Sequence, residues 1–179
     1  MTQEARLEPL YSSQVIAARL AGLADEIAGQ MPKDFVVIAI LKGGFVFAAD
    51  LVRALAAREM NPEVDFMSLT SYGSDTTSSG TVRLLRDAEI EVENKHVLLV
   101  DDILDSGRTL DFARHHLLGR GAKSTKVCVL LDKTAANGLK EAIKADFVGF
   151  PCPKAFVAGY GMDYAHKFRG LPFVAILCQ

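Results

Sequence analysis

The feature that most constrains this chain is an apolar run that gives way abruptly to carboxylates, within residues 97–110. Val97–Val100 is short and continuously apolar, which is typical of a strand buried on both faces of a parallel sheet. Asp101 and Asp102 follow directly, and after two apolar residues come Asp105 and the letters Ser-Gly-Arg-Thr. From Leu110 the pattern becomes helical, with Leu110, Ala113, Leu117 and Leu118 on one face. The stretch therefore predicts a strand, an acidic polar loop and a helix.

This order of elements suits a ligand that carries a phosphate. The first N–H groups of a helix lack partners and carry a partial positive charge of roughly half a unit. Ser106, Gly107 and Thr109 let the backbone approach an anion and add hydroxyl donors. The carboxylates instead suit hydroxyl groups, a metal ion or a protonatable atom. A ligand with both a phosphate and vicinal hydroxyls is a sugar phosphate, and a solvated acidic loop is the alternative.

The same stretch closely resembles the phosphoribosyl-pyrophosphate (PRPP) signature of the type I phosphoribosyltransferases. The resemblance implies that Asp101 and Asp102 bind the ribose hydroxyls beside Mg²⁺. It also implies that Asp105 is the catalytic residue, facing N7 of the base, because the 6-oxopurine enzymes of the family have aspartate there. Adenine and orotate enzymes usually have a small or hydroxyl residue. The remaining residues implied to bind PRPP and its phosphate are Ser106, Gly107, Arg108 and Thr109.

A second junction of strand, glycine and helix lies between Phe35–Leu41 and Phe45–Arg58. Glycine there indicates close approach of the backbone to another group, although a plain tight turn would also need it. The letters Leu-Lys-Gly-Gly are similar to the loop of the hypoxanthine–guanine branch of the family, whose amides hold pyrophosphate. That loop often has a cis peptide between its first two residues. The pyrophosphate-binding residues implied are Lys42, Gly43 and Gly44.

Residues 71–80 form a polar segment between predicted strands at Val64–Thr70 and Val82–Leu85. Composition favours a surface loop, and with almost nothing to bury the segment is expected to be mobile in the free protein. Its first residues, Ser71 and Tyr72, match the start of the long loop that closes over the active site in the family. The resemblance therefore predicts a lid.

Lys133 follows a predicted strand at Thr125–Leu131, at the edge where parallel sheets bind ligands. Position alone favours a solvated lysine over a functional one. The letters Leu-Leu-Asp-Lys-Thr resemble the family motif whose lysine donates to O6 of the purine. This resemblance implies that Lys133 binds the base.

The C-terminal part, beyond a predicted strand at residues 146–150, resembles the hood of the family, a small subdomain over the base. The resemblance implies that Phe156 stacks on the purine and that Val157 contacts its edge through the backbone. A core aromatic is the alternative for Phe156. Asp163 would lie at the base site and serve a second Mg²⁺, and Arg169 would reach the pyrophosphate. One departure is Ala155, where the family sometimes has a basic residue. The metal-binding residues implied are Asp101, Asp102 and Asp163.

Length and composition bound the remaining possibilities. The chain has 179 residues, three cysteines without metal-ligand spacing and a formal net charge of −2, which gives no general attraction to nucleic acid or an acidic membrane. No run approaches the ~18 apolar residues of a membrane span. We expect a single cytoplasmic α/β domain, residues 1–179, with a central, largely parallel sheet flanked by helices. A hood would be formed by about 150–179, with N-terminal residues possible.

The resemblance implies a purine salvage enzyme. It would transfer the 5-phosphoribosyl group from PRPP to N9 of hypoxanthine or guanine, giving IMP or GMP and pyrophosphate, with Mg²⁺ as cofactor and a homodimer or homotetramer as assembly. A xanthine–guanine phosphoribosyltransferase is one alternative, although its residue pair before the two glycines differs from Leu41-Lys42. A PRPP-sensing regulator that binds nucleic acid on the same fold is the other. Such regulators lose the aspartate or add basic surface, whereas this chain keeps Asp105.

Overall fold

The computed structural model describes residues 6–72, 81–139 and 143–178, except for the side chains of Ser71, Tyr72 and Thr81. These ranges form nine strands and three helices. In chain order they are β1 (Arg6–Tyr11), α1 (Ser13–Gln30), β2 (Val36–Leu41), α2 (Phe45–Ala56), β3 (Glu63–Tyr72), β4 (Thr81–Arg86), β5 (His96–Leu104), α3 (Arg108–Gly119), β6 (Ser124–Asp132), β7 (Phe147–Pro151), β8 (Val157–Ala158) and β9 (Val174–Cys178).

Six strands form the central sheet, in the order β4-β3-β2-β5-β6-β7. Every pairing in it is parallel except that of β3 with β4. The apolar runs of β2 and β5 are buried because α1 and α2 cover one face of the sheet and α3 covers the other. The predicted fold class, an α/β domain with a largely parallel sheet flanked by helices, is confirmed.

Helix α1 follows its sequence pattern closely. Ser12 caps it by accepting a hydrogen bond from the N–H of Val15 at 3.3 Å, which satisfies one of the unpaired amides of the first turn. Apolar side chains spaced for one helical face are buried, and each contributes about 1.5–3 kcal/mol by leaving water. They are Ile16, Leu20, Leu23 and Ile27.

A second sheet, ordered β1-β9-β8, joins the two ends of the chain. Its strands are antiparallel, with Leu7 opposite Leu177 and Val157 opposite Ile176. Tyr11 ties this sheet to the central one: its ring stacks on Phe150 with centroids 4.2 Å apart, and its hydroxyl donates to the carbonyl of Pro151 at 2.6 Å. The small sheet therefore lies against the end of β7.

Strand β5 differs from the sequence-based expectation. It does not end at Val100 but continues to Leu104, because β6 runs beside it and pairs Asp101 with Val129. The acidic residues thus lie on a strand whose backbone is held in the sheet. Helix α3 also begins two residues before the expected position, and Leu118, which the pattern placed on the core face, is 40% exposed.

Among the described residues, no helix is long and apolar enough to cross a membrane. The cysteines are free thiols, buried at Cys128 and Cys152 and half-buried at Cys178.

Candidate functional site

Two cavities adjoin at the carboxyl edge of the central sheet. The larger, of ≈270 Å³, is lined by Asp101, Asp102, Ile103, Leu104, Asp105, Ser106, Gly107, Thr109 and Leu110. The smaller, of ≈200 Å³, is lined by Asp102, Ile103, Asp105, Lys133, Phe156, Val157, Met162 and Asp163. The two share the wall formed by Asp102, Ile103 and Asp105. This edge therefore offers two adjoining compartments, one at the start of α3 and the other beside Lys133 and Phe156.

Asp101 and Asp102 form a crowded acidic pair at the end of β5. Oδ1 of Asp101 accepts the N–H of Asp102, and Oδ1 of Asp102 accepts the N–H of Ile103, both at 2.9 Å. Burial raises the pKa of Asp101 well above its usual range, and the charge of Asp102 raises it further. Burial also raises the pKa of Asp102, although hydrogen bonds and the charge of Arg169 oppose the rise. A bound cation or hydroxyl donors would relieve this strain on the ionised pair.

The loop between β2 and α2 lies directly against the acidic pair. The Leu41–Lys42 peptide is cis. A Cβ added to Gly43 would lie 1.8 Å from Oδ2 of Asp102, and one added to Gly44 would lie 2.9 Å from the carbonyl oxygen of Ile40. Both positions therefore require glycine, since the carboxylate of Asp102 and the carbonyl of Ile40 leave no room for a Cβ atom. The sequence pattern had left a plain tight turn as the alternative.

The polar loop after β5 leads directly into the N-terminus of α3, as predicted. Gly107, at φ +80°, is the N-terminal cap of α3, and its carbonyl accepts the N–H of Asp111 at 2.8 Å. Ser106, Gly107 and Thr109 line the larger cavity. The side chain of Arg108 is exposed and does not line it. The N-terminus of α3 thus opens into the larger cavity, as an anion site requires.

The smaller cavity brings Lys133, Phe156 and Val157 next to Asp105, four residues from distant parts of the sequence. Phe156 is 54% exposed and meets Tyr164 edge to face, with centroids 5.7 Å apart and planes at 76°. An aromatic ring left half open at a cavity is not filling the core. Lys133 begins the turn after β6, and its N–H donates to the carbonyl of Leu104 at 2.9 Å, which fixes it beside the end of β5.

Asp163 and Arg169 are paired with each other. Nη2 of Arg169 donates to Oδ1 of Asp163 at 2.5 Å, and the N–H of His166 donates to Oδ2 at 2.8 Å. Both carboxylate oxygens therefore already accept a hydrogen bond. Arg169 also contributes, with Leu41 and Lys42, to a third cavity of ≈430 Å³. It thus lies between the Leu41–Gly44 loop and the smaller cavity.

Residues 160–161 press on the Leu41–Gly44 loop from the other side. Gly161, at φ +101°, approaches so closely that a Cβ on it would lie 2.2 Å from the carbonyl oxygen of Gly43. The hydroxyl of Tyr160 donates to Oδ2 of Asp50 on α2. Nη1 of Arg169 donates to the carbonyl of Gly161 at 2.7 Å. These contacts hold the small sheet's connecting segment against the glycine loop.

Sequence reasoning missed several residues of this site. The apolar residues Ile103, Leu104 and Leu110 line the larger cavity and Met162 lines the smaller one, while Nδ2 of Asn137 donates a hydrogen bond to Oδ1 of Asp105. The only available signal for Asn137 was its place four residues after Lys133, in the loop that follows a ligand-edge strand. The predicted lid falls mostly outside the described residues: Ser71 and Tyr72 are the last residues of β3, and 73–80 are not described.

The donor set at the acidic pair fits Mg²⁺ bound together with a substrate. Within 6–72, 81–139 and 143–178, no three histidine, cysteine or carboxylate side chains cluster as a metal site. Mg²⁺ commonly keeps several waters and takes only one or two protein carboxylates, with phosphate oxygens of the substrate completing its shell. Asp101 and Asp102 supply that number of hard oxygen ligands.

Comparison with known proteins gives one consistent result. Residues 7–165 match the model of the family described as "Phosphoribosyl transferase domain". The chain is 41% identical to the hypoxanthine-guanine phosphoribosyltransferase of Bacillus subtilis, over 94% of this chain and 91% of that protein. It is 38% identical to the hypoxanthine phosphoribosyltransferase of Escherichia coli, over 94% and 93% of the two chains. A crystal structure of a hypoxanthine-guanine phosphoribosyltransferase from Bacillus anthracis superposes with a TM-score of 0.88 at 40% identity, covering 98% of this chain and all of that one.

Proposed function

Because this chain belongs to the phosphoribosyl transferase family, we propose that it is a purine salvage enzyme that transfers the 5-phosphoribosyl group of PRPP to N9 of hypoxanthine or guanine. The products are IMP or GMP and pyrophosphate. The observation that supports this most directly is the pair of adjoining cavities, which share Asp102, Ile103 and Asp105. A ribose held at that shared wall has its phosphate on one side and the base on the other.

The larger cavity binds the sugar phosphate. The N-terminus of α3, with the amides and hydroxyls from Ser106 to Thr109, holds the 5′-phosphate, and Arg108 contributes through its place in this loop. Asp101 and Asp102 accept hydrogen bonds from the ribose hydroxyls. Those donors stabilise the ionised carboxylates and so oppose the burial, and at Asp101 also the charge of Asp102, that raises their pKa values. Binding of the ribose is thus driven partly by relief of an unfavourable arrangement in the free protein.

The glycine loop holds the leaving group. Lys42, the backbone amide of Gly43 and Arg169 bind the pyrophosphate as negative charge develops on it, and Gly44, whose own N–H donates to the carbonyl of Ile40 at 3.2 Å, lets the loop turn at this point. Donors already in place at such a position lower the barrier because they need no reorganisation during the reaction. The close packing of Gly43 between Asp102 and Gly161 supports this role, since it fixes the loop in one position.

The smaller cavity selects and activates the base. Phe156 stacks on the purine, the backbone of Val157 contacts its edge, and Nζ of Lys133 donates to the carbonyl O6. Asp105 accepts the proton of N7 as the lone pair of N9 bonds to C1′ and the bond from C1′ to pyrophosphate breaks, and it returns that proton in the reverse reaction. Positioned acid–base catalysis of this kind typically contributes about 10²- to 10⁴-fold to the rate. Asp163 acts here by holding Arg169 toward the pyrophosphate loop.

Mg²⁺ is the proposed cofactor. When bound, it neutralises charge on the pyrophosphate and so makes it a better leaving group. Asp101 and Asp102 would hold one ion together with PRPP. Asp163 would reach a second through water, since both of its oxygens already accept hydrogen bonds.

The remaining parts of the proposal concern organisation. Residues 1–179 act as one catalytic domain, with the β1-β9-β8 sheet and its connecting segments as the hood over the base. Residues 71–80 act as the lid. A cytoplasmic location and a homodimer or homotetramer are what the family suggests, and sedimentation of the purified protein measures the assembly.

A panel of bases tests the function. Purified protein is supplied with PRPP and Mg²⁺ and with hypoxanthine, guanine, xanthine or adenine, and nucleotide and pyrophosphate are both measured. We expect turnover of hypoxanthine and guanine, none of adenine, and loss of all turnover in excess chelator. A preference for xanthine and guanine would establish the alternative enzyme. Absence of turnover together with RNA binding at physiological salt would establish the regulator.

A further inference from the structure

Asp105 is held by a side chain that the family resemblance does not assign to the site. Nδ2 of Asn137 donates to Oδ1 of Asp105. Among the described residues, no other side-chain donor reaches this carboxylate, and Oδ2 accepts no hydrogen bond. An ionised carboxylate only accepts, so the amide of Asn137 must turn its NH₂ group toward it. The contact thus orients one oxygen of Asp105 and leaves the other available.

Asn137 is itself fixed by the turn that follows β6. Its N–H donates to the carbonyl of Lys133 at 3.0 Å. The same turn is closed at its start by Thr134, whose N–H and hydroxyl both donate to Oδ1 of Asp132, at 2.9 and 2.7 Å. The N–H of Lys133 in turn donates to the carbonyl of Leu104, the residue before Asp105. A closed circuit of hydrogen bonds therefore links Leu104, Asp105, Asn137 and Lys133.

Asp105 needs such support because, within the part of the chain that the structure describes, no other side chain holds it. It is exposed and follows directly on the last residue of β5, so its two side-chain torsions are not limited by packing. Proton transfer requires the carboxylate oxygen at hydrogen-bond distance from the base atom in a narrow range of directions. A neutral donor restricts the carboxylate without adding a positive charge beside it. A lysine or arginine at position 137 would instead compete for the proton acceptor as an ion pair.

We propose that Asn137 is a positioning residue for Asp105: its amide holds Oδ1 so that Oδ2 is directed to N7 of the purine. Through its hydrogen bond to Lys133, it also sets the distance between the group that transfers the proton and the cation that contacts O6. The two groups that touch the base then move as one unit. This inference rests on the proposed function, since it needs Asp105 to act at N7.

The test measures whether Asn137 acts through the carboxylate of Asp105. Four proteins are compared in single-turnover assays with hypoxanthine, PRPP and Mg²⁺: wild type, Asn137→Ala, Asp105→Asn and the double variant. Loss of one hydrogen bond to a charged group predicts that Asn137→Ala slows the chemical step about tenfold in the wild-type background. In the Asp105→Asn background, the same substitution should change the rate less than about twofold, because the carboxylate it acts on is gone.

Two further variants sharpen the result. Asn137→Asp keeps the shape but places a second carboxylate against Asp105, so it should slow the step more than Asn137→Ala does. The matched control is Asn61→Ala, an exposed asparagine in the connection between α2 and β3, which should leave the rate unchanged. KM for PRPP should stay within about twofold in all variants at position 137, since the phosphate is bound in the other cavity. Thermal melting of each protein confirms that it is folded.

The outcomes separate this inference from the function on which it rests. A tenfold loss in the wild-type background that disappears with Asp105→Asn supports the positioning role. An equal loss in both backgrounds, or no loss in a folded Asn137→Ala protein, overturns it while the proposed function stands. An Asp105→Asn protein that is as fast as wild type overturns the proposed role of Asp105 and this inference with it.

Discussion

Carboxylates at the two ends of the parallel strands, here the amino edge and the carboxyl edge of the central sheet, lie in opposite environments. At the amino edge, Asp65 and Asp87 are surrounded by donors, and their pKa values are lowered. At the carboxyl edge, Asp101 and Asp102 lie against each other, with Asp102 also against the backbone of Gly43, and their pKa values are raised. The same side chain thus stabilises the fold at one edge and is held in an unfavourable state at the other.

Asp65 and Asp87 represent the amino edge. Asp65 accepts the N–H groups of Phe66, Glu89 and Ile90, at 2.7, 2.7 and 2.9 Å. Burial alone would raise its pKa, but these amides outweigh burial and lower it. Asp87 likewise has its pKa lowered by His116, Ala88 and Arg120 against the effect of burial. These carboxylates tie the connection before β5 to the rest of the sheet, and nothing further is needed to satisfy them.

Asp101 and Asp102 represent the carboxyl edge. Within the described residues, the donors bonded to them are the amides next to them in the chain, and Gly43 lies directly against Oδ2 of Asp102. A sugar hydroxyl, a cation or a protonated base would supply the hydrogen-bond donors or the positive charge that these two carboxylates lack. The contrast indicates that carboxylates left short of donors inside a protein mark where a ligand binds, because a ligand completes them.

The sharpest difference between the edges should be in turnover. Replacing Asp105 with asparagine removes a titratable group while keeping its shape, so turnover of hypoxanthine should fall by about 10²- to 10⁴-fold. The matched variant at the amino edge, Asp87→Asn, should retain turnover within about threefold when corrected for folded protein. A rapid-quench assay gives both rates. Equal losses in the two variants would abolish the distinction between the edges.

Discrimination between hypoxanthine and adenine should depend on Lys133 at the carboxyl edge and not on a lysine at the amino edge. An ammonium group only donates, so Lys133 accepts a carbonyl O6 and opposes the amino group of adenine. In Lys133→Ala, the ratio of kcat/KM for hypoxanthine to that for adenine should shrink by about 10- to 100-fold, the cost of one hydrogen bond to a charged group. Lys95→Ala, which removes a partner of Glu63 at the amino edge, should leave the ratio unchanged. An unchanged ratio in Lys133→Ala would remove Lys133 from the base site.

Replacing an aspartate should change the free energy of unfolding in opposite directions at the two edges. Asp65→Ala leaves three backbone amides without their acceptor and should lower the free energy of unfolding by about 1–3 kcal/mol. Asp101→Asn removes a buried like-charge repulsion and should raise it. For a chain of this size, each kcal/mol moves the melting temperature by about 2–4 °C, which calorimetry without ligands resolves. The comparison fails if Asp101→Asn melts below wild type at neutral pH.

The smallest effect is the pH dependence of the ligand-free protein. Because folding raises the pKa of Asp101, its stabilisation is complete below the unfolded pKa of about 3.9 and is lost as pH rises through the folded pKa. Asp65 and Asp87 act in the opposite sense: their stabilisation is present above about 3.9 and is lost as pH falls through their lowered pKa values.

The melting temperature measured with a chelator should therefore rise as pH falls through the raised pKa of Asp101, and should fall again as pH falls through the lowered pKa values of Asp65 and Asp87. In Asp101→Asn the rise should be smaller. A melting temperature that falls steadily from pH 8 downward in wild type would contradict the raised pKa of Asp101.

The strands and helices that sequence predicts well are those that carry their own signal. The continuous apolar runs of β2 and β5 and the helical spacing of α1 each reflect local burial. Strand β1, with its glutamate and proline, gives no such signal and forms because β9, from the other end of the chain, pairs with it. The end of β5 likewise has no local strand signal, and it stays in the sheet because its acidic residues pair with β6.

The site divides along the same line. Residues in recognisable motifs, such as Asp101, Asp102 and Lys133, meet at one edge of the sheet as parallel topology requires. Asn137 could not be found from sequence, because its role depends on a turn that closes only once β5 and β6 lie side by side. The course of the segment between β8 and β9 could not be predicted either, because it has left-handed backbone at residues that seldom adopt that conformation. These are Tyr160, Ala165, His166 and Phe168.

The stacking of Asp102, Gly43 and Gly161 limits how this protein can be engineered. A methyl group at Gly43 would fall 1.8 Å from a carboxylate oxygen, and one at Gly161 would fall 2.2 Å from a carbonyl in addition to its strained φ of +101°. Chimeras that exchange the C-terminal segment with a relative must therefore preserve this interlock, although the two glycines are far apart in sequence. Libraries that aim at new bases are best built at the cavity wall, at Phe156 and Met162, with both glycines left unvaried.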